Sequence, residues 1–154
     1  MDGAGPVPRH RWGEEYNTLR TGNVNFHPMD KITQQLFTAA CAVRDNAHAP
    51  YSNFPVGAAL LAGGKVYRGC NVENAAHPQG VCAEAAAIAA MVGDGASRIE
   101  ALVVVGDGDC VPCGGCLQKI AEFAGAETPL IVATPEGKTR RLTLRDCLPL
   151  PFAK

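Results

Sequence analysis

The chain has 154 residues, of which 47% are hydrophobic and 19% are charged, so its length fits one domain that buries a core without disulfide bonds. The formal net charge is −1, and the only dense basic run lies near the C-terminus at 138–145, which argues against nucleic-acid binding and favours small-molecule chemistry. Neither a signal peptide nor a run of roughly 20 apolar residues is visible, so we expect a cytoplasmic protein that does not bind membranes.

The N-terminal part of the chain differs from the rest. Residues 1–29 contain scattered glycine, proline and charge without sustained periodicity, which predicts a loosely ordered extension. Residues 30–154 are predicted to form the folded domain. Asp30 is a suitable N-cap for a first helix, because Ile32, Leu36 and Val43 recur behind it at helical spacing.

The rest of the chain predicts strands and helices in alternation. Gly63-Gly64 separates two strand-like runs and indicates a β-hairpin. The predicted strands are 56–62, 65–72, 99–105, 130–133 and 139–144, and the predicted helices are 81–92, 112–123 and a short turn near Asp146. This order indicates an α/β fold in which a mixed sheet carries helices on both faces.

Seven cysteines at uneven spacing favour metal binding or catalysis in a reducing compartment over a disulfide framework. Two half-motifs stand out: Cys82-Ala83-Glu84 and Pro112-Cys113-Gly114-Gly115-Cys116. Each half is predicted to open a helix, whose free N–H groups and dipole favour the thiolate form. Cys113 and Cys116 lie three residues apart, so they share one helix face and can converge on one ion.

Three thiolates leave the fourth tetrahedral position of zinc open to water, as in a catalytic site. Glu84 lies two residues from Cys82, and a carboxylate beside that water can take its proton and return it to a substrate. The combination matches the known signature of zinc deaminases, in which His or Cys-x-Glu precedes P-C-x-x-C.

Other interpretations of the cysteines remain open at this point. A C-x-x-C pair also occurs in zinc ribbons and redox centres, although a ribbon usually supplies its fourth ligand from a second C-x-x-C. Cys110 extends the pair to a C-x₂-C-x₂-C run like part of an iron–sulfur motif, but the x₃-C-P continuation is missing. The other three cysteines, Cys41, Cys70 and Cys147, are predicted to be buried core thiols.

With these motifs in place, the chain resembles the small cytidine deaminases of the three-cysteine type from about Asp30 to Phe152. The segments that carry the resemblance, in the family's order, are 49–60 (APYSNFPVGAAL), 69–76 (GCNVENAA), the two cysteine motifs and 148–152 (LPLPF). The resemblance implies a three-layer α/β/α sandwich around a five-stranded mixed sheet. It also implies one zinc ion per chain and hydrolysis of cytidine or 2′-deoxycytidine to the uridine and ammonia by a zinc-bound hydroxide, a step of pyrimidine salvage.

The resemblance further implies roles for individual residues. Glu84 is the proton carrier of the reaction, and it reads the pyrimidine edge together with the backbone of Ala83. Asn71 and Glu73 hydrogen-bond the ribose hydroxyls, and Phe54 lies against the nucleoside.

The resemblance also implies a homotetramer in which Phe152 reaches the base in a neighbouring subunit's site. The sequence departs from the family at four positions, Ala85, Ala86, Leu117 and His77. Ala85 and Leu117 stand where arginines commonly donate to the zinc thiolates, and His77 stands where a tyrosine is common. With both arginines absent, we expect the zinc-bound water to be harder to deprotonate unless helix N-termini or another cation balances the thiolate charge.

Three alternative functions share some of these features. A deaminase of another aminated nucleoside or heterocycle, such as blasticidin S, would use the same zinc motifs, but Asn71-x-Glu73 favours an ordinary ribose. A polynucleotide deaminase would need a basic groove and stacking loops, which the sequence does not indicate. In a non-enzymatic zinc or redox protein, Glu84 would have no catalytic role. Ammonia release from cytidine distinguishes an enzyme from such a protein.

Overall fold

The computed structural model describes residues 29–152, so the predicted N-terminal extension lies outside the described residues except for Met29. The first helix, α1, spans Lys31–Arg44. Asp30 caps it as predicted, and its side chain accepts a hydrogen bond from the Thr33 N–H at 2.7 Å.

The remaining elements follow the predicted order. They are β1 (Gly57–Ala62), β2 (Lys65–Cys70), α2 (Ala83–Gly93), β3 (Ala101–Val105), α3 (Gly114–Phe123), β4 (Pro129–Ala133), β5 (Thr139–Thr143) and α4 (Leu144–Cys147), with a 3₁₀ turn at His77–Gln79. The element types are therefore confirmed, and the boundaries move by one or two residues. β2 ends at Cys70 because Val72 leaves the hairpin and forms isolated bridges with His48 and Val81.

The five strands form one sheet in the order β2-β1-β3-β4-β5. β3 and β4 run parallel, whereas the other neighbours are antiparallel, so the sheet is mixed as expected. β3 is buried along its whole length, and its side chains alternate between two cores. This full burial explains why its sequence is a continuous apolar run.

The helices cover both faces of the sheet. Leu36 and Ala40 of α1 pack with Val103 and Val105 on one face. The other face carries the larger core, to which α2 and α3 both contribute. The three-layer α/β/α sandwich is therefore confirmed, and α2 and α3 bring the two cysteine half-motifs to the same side of the sheet.

Two glycines of the hairpin allow the helices to approach it closely. A Cβ atom on Gly57 would collide with the carbonyl oxygen of Ala40 in α1. A Cβ atom on Gly69 would collide with the backbone of Ala83 and Ala87 in α2. The start of α2, which carries Glu84, is thus fixed against β2. Within residues 29–152, no helix combines the length and the apolar character needed to cross a membrane.

Candidate metal centre and active site

Both cysteine half-motifs open a helix, as predicted. Cys82 is the N-cap of α2 and Cys113 is the N-cap of α3, and both have extended backbone angles. Their carbonyl groups accept the first helical hydrogen bonds, from Ala86 N–H at 3.1 Å and from Leu117 N–H at 2.9 Å. Neither cysteine side chain makes a capping hydrogen bond. The positive ends of both helices therefore lie beside the sulfurs.

The sulfur atoms of Cys82, Cys113 and Cys116 lie within 4.8 Å of one another. Among the residues that the structure describes, they are the only group of three or more metal-ligating side chains so arranged. Cys116 is 1% exposed, whereas Cys82 and Cys113 are exposed. The cluster is thus closed on the protein side and open to solvent on the other.

The other cysteines lie outside the cluster. Cys110 packs against the larger core, and burial raises the pKa of its thiol to about 12. Cys41, Cys70 and Cys147, predicted to be buried core thiols, are each only partly buried. Cys41 and Cys147 pack at the margins of the two cores, whereas Cys70 is the last residue of β2 and pairs with Gly57 of β1.

The geometry and chemistry of the cluster fit zinc. A tetrahedral zinc ion with Zn–S distances of about 2.3 Å places its sulfurs about 3.8 Å apart, so this triangle needs only small side-chain rotations. The cluster supplies three thiolates and leaves one position open, which is the ligand number of a catalytic site.

The electrostatics of the cluster also favour a bound cation. Burial, followed by the negative charges of Glu84 and the other two cysteines, raises the pKa of the Cys116 thiol well above its usual range. Burial likewise raises the pKa of Cys82. At Cys113 burial acts in the same direction, but hydrogen bonds from Cys116 and Cys82 outweigh it and lower the pKa. Cys113 is thus easier to ionise than an ordinary cysteine, and a shared divalent cation would offset the cost of ionising Cys82 and Cys116.

Glu84 lies in the first turn of α2 and is only 5% exposed. Burial raises the pKa of its carboxyl group, against opposing contributions from its own backbone N–H, a hydrogen bond with the Cys116 side chain and the charge of Lys119. The carboxylate therefore touches the sulfur cluster and takes up a proton more readily than an exposed glutamate does. These are the properties of a proton carrier beside a metal.

Asn71 and Glu73 hold the loop that carries Phe54. The Asn71 side chain accepts a hydrogen bond from Val56 N–H at 2.8 Å and donates one to the Phe54 carbonyl at 3.0 Å. Glu73 accepts hydrogen bonds from the N–H groups of Tyr51 at 2.8 Å and Ser52 at 3.2 Å. Both predicted ribose ligands thus also bind the backbone at 51–56, which the sequence analysis did not foresee.

This structural role predicts a pH-dependent effect of Glu73→Gln on stability. Hydrogen bonds from the Ser52 side chain and the Tyr51 N–H lower the pKa of Glu73. A lowered folded-state pKa stabilises the fold above the unfolded value of about 4.3, and this contribution is lost as the pH falls through the folded-state pKa. We expect the variant to melt below wild type at pH 7, with a difference that shrinks below about pH 4.

Thermal melting of both proteins from pH 3 to pH 7 measures this difference. Glu122→Gln, which changes an exposed carboxylate on α3, is the control and should follow wild type throughout. A deficit of Glu73→Gln that stays constant with pH would assign its effect to packing.

Arg44 is a further residue of this region that the sequence analysis missed. Its Nε donates to the Pro55 carbonyl at 3.1 Å, and its guanidinium forms an ion pair with Asp107 at 2.8 Å. It therefore ties the Phe54 loop to the segment that leads into Cys113. The only sequence signal was a basic residue in the last turn of a helix.

His77 lies in the wall of a cleft of about 400 Å³. Its ring is 5.6 Å from that of Tyr51, measured between ring centroids. The cleft is lined by Tyr51, Ser52, Glu73, Asn74, His77 and Gly80. His77 thus makes an aromatic contact with Tyr51 in the cleft that Glu73 also lines.

The two positions that lack arginine offer no donor to the sulfurs. Leu117 is 6% exposed and packs in the larger core, and Ala85 is half-buried on α2. Positive potential comes instead from the N-termini of α2 and α3. Lys119 adds a nearby positive charge, since its Nζ donates a hydrogen bond to the Gly115 carbonyl at 3.4 Å. Gly115 lies between Cys113 and Cys116 in the sequence.

The two residues predicted to contact the base through backbone or ring, Ala83 and Phe152, differ in burial. Ala83 is fully buried in the first turn of α2, next to Glu84. Phe152 lies at the end of the described chain and is 77% exposed. Its backbone is hydrogen-bonded to the side chain of Gln118 on α3.

Comparison with known proteins agrees with this geometry. Residues 30–132 match the family model for the cytidine and deoxycytidylate deaminase zinc-binding region. The chain is 42% identical over 124 residues to the cytidine deaminase of Sporosarcina psychrophila, covering 79% of this chain and 91% of that protein. It is 42% identical over 109 residues to the cytidine deaminase of Mycobacterium tuberculosis, covering 69% of this chain and 78% of that protein.

A solved structure of a cytidine deaminase has a similar fold. The crystal structure of cytidine deaminase from Burkholderia pseudomallei superposes with a TM-score of 0.74 at 39% sequence identity, covering 80% of this chain and 100% of that chain. Both cysteine half-motifs lie inside residues 30–132, the region that matches the family model. The chain is therefore a member of the cytidine and deoxycytidylate deaminase family of zinc-dependent hydrolases.

Proposed function

We propose that this enzyme hydrolyses cytidine and 2′-deoxycytidine to uridine and 2′-deoxyuridine with release of ammonia, using one zinc ion per chain. The observation that carries the proposal is the contact between the buried Glu84 carboxyl group and a cluster of three cysteine sulfurs. A purely structural zinc site needs a fourth ligand and no buried acid, whereas a hydrolytic site needs an open position and a proton carrier.

Cys82, Cys113 and Cys116 would hold the zinc ion. When bound there, zinc acidifies a water molecule and so supplies the nucleophile for C4 of the base. Glu84 accepts the proton that this water loses and delivers it to ring N3, which makes C4 more electrophilic. After C4 becomes tetrahedral, Glu84 would take the proton of the new C4 hydroxyl group and transfer it to the amino group, so that the C–N bond breaks, ammonia leaves and the C4 carbonyl forms.

Burial of Glu84 suits this two-way transfer. Because desolvation raises its pKa, the carboxyl group is a better base than an exposed glutamate and still releases the proton to the substrate. The apolar start of α2, with Ala83 fully buried, excludes water from that side of the carboxyl group. The backbone of Ala83 would then read the pyrimidine edge next to Glu84.

Asn71 and Glu73 would bind the ribose while they hold the Phe54 loop. The Asn71 amide has a second hydrogen to donate, and a carboxylate such as Glu73 can accept about four hydrogen bonds. Their contacts with 51–56 therefore leave capacity for sugar hydroxyls, and they orient Phe54 toward the nucleoside at the same time. His77 and Tyr51 lie beside Glu73 and would form the outer wall of this subsite.

The active assembly would be a homotetramer in which Phe152 completes the site of a neighbouring subunit. Phe152 and Leu150 support this proposal, since their side chains are 77% and 91% exposed in the single chain. The catalytic domain would be residues 30–154, with 1–29 as an extension. We further propose that the enzyme works in the cytoplasm, in pyrimidine nucleoside salvage.

The test of the proposed function is a substrate screen with purified, zinc-loaded protein. We expect loss of cytosine-type absorbance and stoichiometric ammonia release from cytidine and deoxycytidine, and little from cytosine, which lacks the sugar that Asn71 and Glu73 bind. Turnover of blasticidin S without turnover of cytidine would assign the site to another heterocycle. Absence of ammonia from every substrate, in protein that holds zinc, would favour the non-enzymatic alternative.

A further inference from the structure

Gln118 makes two hydrogen bonds to one residue at the far end of the chain. Its Nε2 donates to the Phe152 carbonyl at 2.9 Å, and its Oε1 accepts from the Phe152 N–H at 3.0 Å. The amide of one side chain thus pairs with both polar groups of one backbone residue, as a neighbouring β-strand would. Two simultaneous bonds fix both the position and the orientation of that residue.

The C-terminal tail depends on this pairing. Within the described part of the chain, the backbone of residues 149–152 makes hydrogen bonds only to Gln118. Pro149 and Pro151 have no N–H to donate, and their fixed φ angles stiffen the tail, which bends at 149–150. Gln118 therefore determines where a stiff segment lies, and the exposed ring of Phe152 moves with it.

The same helix carries part of the metal site. α3 begins behind Cys113 and contains Cys116, and Gln118 follows Cys116 by two residues. The side chain of Cys116 is buried with the sulfur cluster, whereas Gln118 is only partly buried and reaches the tail. A displacement of the tail relative to α3 is thus a displacement relative to the zinc ligands.

We propose that Gln118 is a positioning residue for substrate binding, because it fixes the tail so that Phe152 enters the neighbouring subunit's site in one register. This inference rests on the proposed role of Phe152. Gln118 touches neither substrate nor metal, so its loss should weaken substrate binding and leave the proton transfers of Glu84 unaffected. Since a hydrogen bond contributes about 2- to 12-fold to an equilibrium, loss of both is expected to raise KM about tenfold.

A double-mutant cycle between Gln118 and Phe152 tests the inference. Steady-state kinetics on cytidine are measured for wild type, Gln118→Ala, Phe152→Ala and the double variant, with zinc content determined for each. Glu122→Ala is the matched control, because it truncates an exposed side chain of comparable size on the same helix.

We expect Gln118→Ala to raise KM about tenfold with kcat within about twofold of wild type. We expect no additional effect of Gln118→Ala in the Phe152→Ala background, and wild-type kinetics for Glu122→Ala. Amide hydrogen exchange of the C-terminal peptide gives a readout independent of turnover. It should accelerate in Gln118→Ala, because the Phe152 N–H loses its acceptor.

Three outcomes would contradict the positioning role of Gln118. Phe152→Ala with wild-type kinetics would refute the proposed role of Phe152, and the role of Gln118 with it. A large effect of Phe152→Ala that adds fully to that of Gln118→Ala would overturn only the positioning role. Loss of zinc from Gln118→Ala would instead show that Gln118 stabilises the metal-bearing helix.

Discussion

Glu84→Gln is expected to lower kcat on cytidine by about 10²- to 10⁴-fold, the usual contribution of a general acid–base group. Glutamine has nearly the same shape and fits the same buried position, but an amide cannot carry the proton from water to N3. Zinc content should stay at one ion per chain, because the three cysteines are unchanged. The comparison is of kcat, KM and bound zinc in wild type and variant.

Stability separates this chemical effect from misfolding. The buried carboxyl group is costly to ionise, as its raised pKa indicates, so replacement by a neutral amide should not lower the melting temperature. Glu122→Gln removes an exposed carboxylate from α3 and should keep wild-type kcat. A zinc-loaded Glu84→Gln protein with near-normal turnover would remove Glu84 from the mechanism and would require a different proton carrier.

The parts of the fold that were predictable depend on local chemistry. Asp30 begins α1 because an aspartate side chain satisfies free N–H groups of the first turn, which is a property of neighbouring residues. The apolar run at 99–105 predicted an interior strand, and β3 is buried on both faces. The order of the five strands in the sheet was not predicted, because the periodicity of a strand does not specify which strands lie beside it.

The cluster of three cysteines was predictable for a related reason. Cys113 and Cys116 are neighbours on one helix, and Cys82 is recognisable from the Glu84 that follows it. The spacing did not decide whether Cys110 belongs to the cluster. Cys110 continues the same three-residue repeat, yet it lies outside the cluster. It precedes the start of α3 at Gly114, so the helical spacing that joins Cys113 and Cys116 does not extend to it.

The supporting contacts could not be predicted from the sequence. Asn71 and Glu73 could be expected to bind a substrate, but their hydrogen bonds to 51–56 depend on a loop conformation that only the folded chain defines. Gln118 and Phe152 are separated by 34 residues, and no periodicity relates them. Such contacts arise where tertiary packing brings polar side chains to an irregular backbone, which has no sequence period of its own.

Cys116→Ala is expected to abolish stoichiometric zinc binding and, with it, turnover of cytidine. The variant removes the buried ligand and leaves the exposed Cys82 and Cys113, which cannot complete a three-sulfur site. Changes in outer-shell partners of zinc already cost about 10- to 100-fold in affinity, so loss of a ligand should cost more than about 100-fold. Competition with a chelating dye measures the affinity of each variant.

Cys110→Ala is the matched control for this loss, because it removes a nearby thiol that lies outside the cluster. We expect it to retain one zinc ion and measurable turnover, although its side chain packs closely against Gly106 and its removal should lower stability somewhat. Zinc should raise the melting temperature of Cys110→Ala and of wild type, but not that of Cys116→Ala, because only a folded site that binds metal is stabilised by it.

X-ray absorption at the zinc edge then distinguishes an open site from a closed one. Three sulfur ligands and one lighter atom are expected in wild type and in Cys110→Ala, since the fourth position has to accept water for hydrolysis. Four sulfurs in wild type, falling to three in Cys110→Ala, would mean that Cys110 swings in to complete a structural site. Glu84 would then have no water to deprotonate, and the hydrolytic mechanism would be wrong for this chain.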